Sequence, residues 1–113
     1  MNRISTHVLD TTRGKPAKDV PVRLDRREAS GDWSAVAQGR TDQDGRGELL
    51  SDDQLLRAGF YRLTFDTGNY FAAQKIDGLY PQVEITFQVR EGESRFHIPL
   101  LLSPNGYTTY RGS

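Results

Sequence analysis

Val83-Glu84-Ile85-Thr86-Phe87-Gln88-Val89 alternates apolar and polar side chains at every step. Successive side chains of a strand point to opposite faces. Val83, Ile85, Phe87 and Val89 therefore fall on one side, and Glu84, Thr86 and Gln88 on the other. The period is that of a half-buried strand, since a helix would repeat its apolar positions every three to four residues. Glu91-Gly92-Glu93 follows and reads as a hairpin turn. Phe96, Ile98, Leu100 and Leu102 then form the next inward face, which leaves Arg95, His97, Pro99 and Leu101 facing outward. Ser103-Pro104-Asn105-Gly106 turns the chain into a last strand at 107–111.

The same reading extends towards the N-terminus. Residues 4–9 form a first strand, and Gly14-Lys15-Pro16 is turn chemistry. Val20, Val22 and Leu24 alternate with Pro21, Arg23 and Asp25, and Pro21 predicts that this strand lies at a sheet edge. Residues 33–41 form a third strand. Asp42-Gln43-Asp44-Gly45 turns, and 46–50 form a short strand. Residues 52–58 read as a helical turn. Residues 60–65 form a strand with Tyr61, Leu63 and Phe65 on one face. Thr67-Gly68-Asn69 breaks it, 70–76 is the one expected helix, and 78–81 ends that helix. Roughly seven or eight short strands at regular spacing, with one short helix, predict an all-β fold: a two-sheet antiparallel β-sandwich.

A length of 113 residues fits one domain, 1–113. Fifteen basic and fifteen acidic residues cancel, so the chain lacks the electrostatic footprint of a nucleic-acid binder. The absence of cysteine excludes a disulfide framework, a thiolate metal site and a cysteine nucleophile. An apolar run such as Leu100-Leu101-Leu102 is far too short to span a membrane. Met1-Asn2-Arg3 leads into a polar stretch with no signal-peptide pattern, so the expected compartment is the cytoplasm.

The chain has two histidines, His7 and His97, and both fall on outward strand faces. Imidazole takes up and returns a proton near neutral pH. A histidine so placed is also commonly no more than a solvated polar group. Zinc would need three or four protein ligands, and no third ligand sits at a suitable spacing. Leu9 and Leu101 share the histidines' faces, which predicts a covered surface, most simply by another copy of the chain. Arg46, after the Asp44-Gly45 turn, is either a surface ion-pair partner or a planar clamp for an anion or carbonyl. Tyr110-Arg111-Gly112-Ser113 places a phenol, a guanidinium and a hydroxyl where chains usually fray, so this segment is expected to be docked and to line a site. Residue patterns alone thus reach an expected oligomeric sandwich with a candidate histidine site, and no reaction.

Ile4-Ser5-Thr6-His7-Val8-Leu9-Asp10, Gly14-Lys15-Pro16, Val20-Pro21-Val22-Arg23-Leu24, Thr41 to Arg46, His97 to Pro104 and Tyr107 to Ser113 together resemble the 5-hydroxyisourate hydrolase family, the transthyretin-related enzymes of purine breakdown. The resemblance spans the chain, and the closing tetrapeptide combined with Ser5-Thr6-His7 is its specific part. It implies a transthyretin-like sandwich, a homotetramer built as a dimer of dimers, and active sites in the channel between dimers. It implies hydrolysis of the N1–C6 lactam bond of 5-hydroxyisourate, with no metal and no organic cofactor. Carried over by motif, the catalytic histidines fall on His7 and His97, the arginine on Arg46 and the serine on Ser113. Tyr110 and Arg111 belong to the same signature, and with His7, Arg46 and Ser113 make the substrate-binding set. Where the family often has His-Tyr-His, this chain has Arg95-Phe96-His97. The competing readings are a transthyretin-like carrier of a small ligand and a sandwich with no ligand. Polar walls disfavour the carrier, and a scaffold has no use for the closing tetrapeptide.

Overall fold

The computed structural model describes residues 2–51 and 56–113. The described residues form β1 (Arg3–Asp10), β2 (Lys15–Pro16), β3 (Pro21–Arg27), β4 (Trp33–Arg40), β5 (Arg46–Leu50), β6 (Gly59–Phe65), α1 (Thr67–Ala72), β7 (Val83–Val89), β8 (Arg95–Ser103) and β9 (Gly106–Thr109). One sheet runs β2-β1-β8-β9 with β5 also on β1, and the other runs β4-β3-β6-β7. Their inner faces share one core. Ile4, Val8, Leu100 and Leu102 from the first sheet meet Leu24, Leu63, Phe65 and Val83 from the second, all buried. Phe87 and Phe96 touch across the gap with ring centroids 5.7 Å apart. Each buried side chain of this size contributes about 1.5–3 kcal/mol. No helix among the described residues is long and apolar enough to cross a membrane.

The predicted faces hold. Tyr61, Leu63 and Phe65 are buried, as are Phe96, Ile98, Leu100 and Leu102. Residues 46–50 and 83–89 form strands with the expected bounds. Leu9 and Leu101, the two outward leucines, are register partners and half-buried.

Five expectations change. First, the sandwich is not wholly antiparallel: β1 and β8 pair in parallel along their length. Alternation encodes which side a residue faces and says nothing of strand direction. Second, β3 is an inner strand between β4 and β6, not an edge. Pro21 is its first residue, where a missing N–H is tolerated, and its carbonyl still accepts from the Asp66 N–H at 2.9 Å. Third, the 91–93 turn joins β7 in one sheet to β8 in the other, so it is a crossover and not a hairpin. Both strands have an apolar face, and these faces pack on each other instead of lying side by side.

Fourth, the helix starts at Thr67 and ends at Ala72, earlier than the expected 70–76. Asp66 caps it, accepting from the Asn69 backbone N–H at 3.2 Å, so Thr67-Gly68-Asn69 opens the helix where a break was expected. Fifth, the last strand stops at Thr109, short of the expected 111. The helical turn expected at 52–58 has its first four residues outside the described ones.

Candidate active site

β1 supplies the spine of the site. Ser5 lies opposite His97 on β8, and His7 lies opposite Arg46 on β5. Ser5, His7 and His97 share the outward face because each strand has period two. The β8 residue opposite His7 is Pro99, so the two histidines are diagonal neighbours. One strand across and two residues along separates their Cα atoms by about 8 Å. Thr6, between Ser5 and His7, points inward and donates to the Ile98 carbonyl at 2.6 Å, which pins the β1–β8 register.

The turn before β5 is pinned as well. The Asp42 side chain accepts from the Asp44 and Arg46 backbone N–H groups, each at 2.9 Å. Gly45 has φ +77° and lies so close to the Val8 carbonyl that no side chain would fit there. Its own carbonyl accepts from the Val8 N–H at 2.7 Å. Arg46 is thus fixed to the strand that carries His7. His7 Nε2 donates to the Asp44 carbonyl at 2.8 Å, which leaves Nδ1 as the free acceptor of the neutral ring.

A cleft of about 490 Å³ opens on this face. Arg3, Ser5, Asp42, Arg46, Glu48, Arg95, His97, Gly112 and Ser113 line it. His97 Nδ1 is 2.9 Å from the Ser5 hydroxyl. On the other side, the Gly112 N–H donates to the His97 carbonyl at 2.7 Å. A Cβ at position 112 would lie 2.5 Å from the ring's Cδ2, so the glycine is what allows the tail to pack against the imidazole. Burial, and then the neighbouring His7, Arg46 and Arg3, hold the His97 imidazole below its ordinary pKa. The neutral ring, able to accept a proton, therefore predominates at neutral pH.

The sequence-predicted residues divide by position. Arg46, His97 and Ser113 line the cleft, whereas His7 stands beside its wall. Arg111 is not part of that lining. Its guanidinium donates to Glu93 at 3.2 Å and to the Arg95 carbonyl at 3.0 Å, and lies 4.4 Å from the Phe96 ring centre. It clamps the tail. The Arg90 N–H, and then Arg111, hold the Glu93 carboxyl below the usual carboxylate range. Tyr110 is exposed and outside the cleft wall. Ser5, Gly112, Arg3 and Arg95 are site residues to which sequence reasoning gave no role. The available signal was that Ser5 and Arg95 share outward faces with the histidines. Among the described residues no group of three or more His, Cys, Asp or Glu gathers to hold a metal.

Known proteins share this architecture. Residues 4–112 match the model of the HIUase/Transthyretin family. A 5-hydroxyisourate hydrolase of Salmonella dublin is 42% identical over 112 residues, covering 99% of this chain and 82% of the relative. The solved structure of Klebsiella pneumoniae 5-hydroxyisourate hydrolase aligns with a TM-score of 0.86 at 38% identity, over the whole of both chains. Sea bream transthyretin in complex with thyroxine aligns with a TM-score of 0.90 at 34% identity, covering 96% of this chain and 93% of that one. With a full-length match and a cleft built around a neutral imidazole, the chain belongs to the HIUase/Transthyretin family, among its hydrolases.

Proposed function

We propose that the protein hydrolyses 5-hydroxyisourate at the N1–C6 lactam bond, giving 2-oxo-4-hydroxy-4-carboxy-5-ureidoimidazoline on the route from urate to allantoin. The observation that carries this reading is His97, a neutral imidazole held between Ser5 and Gly112 in a cleft that also holds Arg46 and Ser113. His97 takes a proton from water as the water oxygen attacks C6. Arg46 meets the negative charge that develops on the C6 oxygen. The C6–N1 bond then breaks, N1 takes the proton back from the imidazolium, and C6 becomes a carboxylic acid that loses its remaining proton to solvent. His7 and His97 share the transfers, and Ser113 orients the substrate or a histidine. General acid–base help is worth about 100- to 10,000-fold, and one well-placed oxyanion donor about 100- to 1,000-fold.

In this reading the outward face bearing Leu9, Leu101 and Tyr110 packs on a second copy, as part of a homotetramer built as a dimer of dimers. Tyr110 and Arg111 then border the substrate channel from the tail. Sedimentation of a monomer that turns over substrate at full rate would remove the shared channel from the proposal.

The test uses urate and urate oxidase to make 5-hydroxyisourate in situ, and follows its near-ultraviolet absorbance. The protein should accelerate the decay, and His97→Asn should lower kcat by about 100- to 10,000-fold with the fold intact. A His97→Asn variant with near-normal kcat removes His97 from the chemistry. Decay unchanged by the wild-type protein refutes the hydrolase reading and leaves the carrier.

A further inference from the structure

We propose that Ser5 is the positioning residue of His97: its hydroxyl grips Nδ1, orients the ring, and leaves Nε2 as the nitrogen that meets water. The proposal rests on the reading of His97 as proton carrier. Ser5 sits directly across the parallel β1–β8 ladder, 2.9 Å from Nδ1 and only 8% exposed, so water competes little for its hydroxyl. Thr6 locks the ladder one residue further on, and Gly112 closes against the opposite side of the ring. The imidazole is held on both sides by groups that carry no charge.

The choice of a hydroxyl has a chemical consequence. A serine hydroxyl donates or accepts. It donates to Nδ1 when the ring proton is on Nε2, and accepts from Nδ1 when the proton is there or when both nitrogens are protonated. Its grip therefore survives every protonation state that a proton carrier passes through. A carboxylate in the same place would favour the imidazolium and retain the proton. The charged and titratable groups facing His97 are Arg3 and His7 from β1, Arg46 and Glu48 from β5, Arg95 from β8, and Asp42 from the turn before β5. Cations outnumber carboxylates there, and Glu48 is shared with Arg3 at 3.7 Å. Ser5 fixes the ring in this field without adding the negative charge that would hold a proton on it.

The test reads the imidazole nitrogens of the full chain by ¹⁵N NMR, in the absence of substrate, alongside steady-state kinetics. In Ser5→Ala the Nδ1 resonance should move, and kcat should fall about five- to tenfold, the worth of one such hydrogen bond, with KM nearly unchanged. Ser5→Thr, which keeps the hydroxyl, should restore the resonance and most of kcat. Ser5→Asp should raise the titration midpoint of His97 and move the acid limb of kcat/KM to higher pH. Wild-type nitrogen shifts in Ser5→Ala, or an unmoved His97 titration in folded Ser5→Asp, overturn the proposal. If the resonances respond as expected but the wild-type protein does not hydrolyse 5-hydroxyisourate, the positioning role stands and the assigned reaction fails.

Discussion

Both sheets carry arginines on their outward faces, and they treat them in opposite ways. On β4-β3-β6-β7, Arg62 lies 4.3 Å from the centre of the Trp33 ring, 3.5 Å from Asp25 and 3.9 Å from Glu84. Arg23 reaches the same Asp25 at 3.0 Å. Asp25 is buried under these two cations although it sits on a face that would otherwise be wet. On the other sheet, no carboxylate lies within ion-pair distance of Arg46 or Arg95 among the described residues. The first set is spent on its own sheet. The second leaves a positive cleft around His97, where Arg46 adds to the burial that already lowers that imidazole's proton affinity, and stands open to an oxygen-rich ligand. One sheet thus ties its outward arginines into ion pairs, and the other leaves two of them open to the cleft.

The contrast is broken most severely at Gly112. In Gly112→Ala the new methyl would meet His97 Cδ2 at 2.5 Å and Cγ at 3.2 Å, so the ring and the tail cannot both stay in place. A displacement of about 1 Å in a catalytic group costs on the order of 100-fold, so kcat should fall by that amount. The melting temperature should barely move, because Gly112 is outside the core. Full activity in this variant would mean that the tail does not set the ring.

Arg62→Ala tests the other half of the comparison. It removes the stack on Trp33 and one of the two cations over buried Asp25, and urea unfolding should show a loss of about 1–3 kcal/mol. Turnover of 5-hydroxyisourate should be unchanged. A tenfold drop in kcat would show that the sheets are not separable.

The smallest effect is in the pH dependence. Because the folded protein holds His97 below its ordinary value of 6.5, the acid limb of kcat/KM should lie below pH 6.5. The unfolded chain binds this proton more readily, so stability should decline as pH falls through the ordinary imidazole range and recover as pH rises. An acid limb above pH 6.5 would contradict the lowered proton affinity of His97.

Part of the candidate site was legible in the sequence. His7 and His97 stand out as the only imidazoles, both on outward positions, and Arg46 follows a turn that must present it. The resemblance to 5-hydroxyisourate hydrolases joined them into one site. Ser5 escaped because nothing in a Ser-Thr-His stretch says which of its side chains will touch a ring 92 residues away. Gly112 escaped because its importance is the absence of an atom beside that ring. The partners that hold Arg111, namely Glu93, the Arg95 carbonyl and Phe96, escaped because they converge only once the chain has crossed from β7 to β8.

What the amino-acid order determined by itself was which side chains face inward and where the chain turns, because the strand period and turn chemistry are local properties of the backbone. Only tertiary structure decided that β1 and β8 run parallel, that β7 and β8 belong to different sheets, and that Ser5, Arg46, His97 and Gly112 meet. Those outcomes depend on which apolar face covers which, and a face two residues in period packs equally well, as far as local pattern can tell, beside or on top of its neighbour.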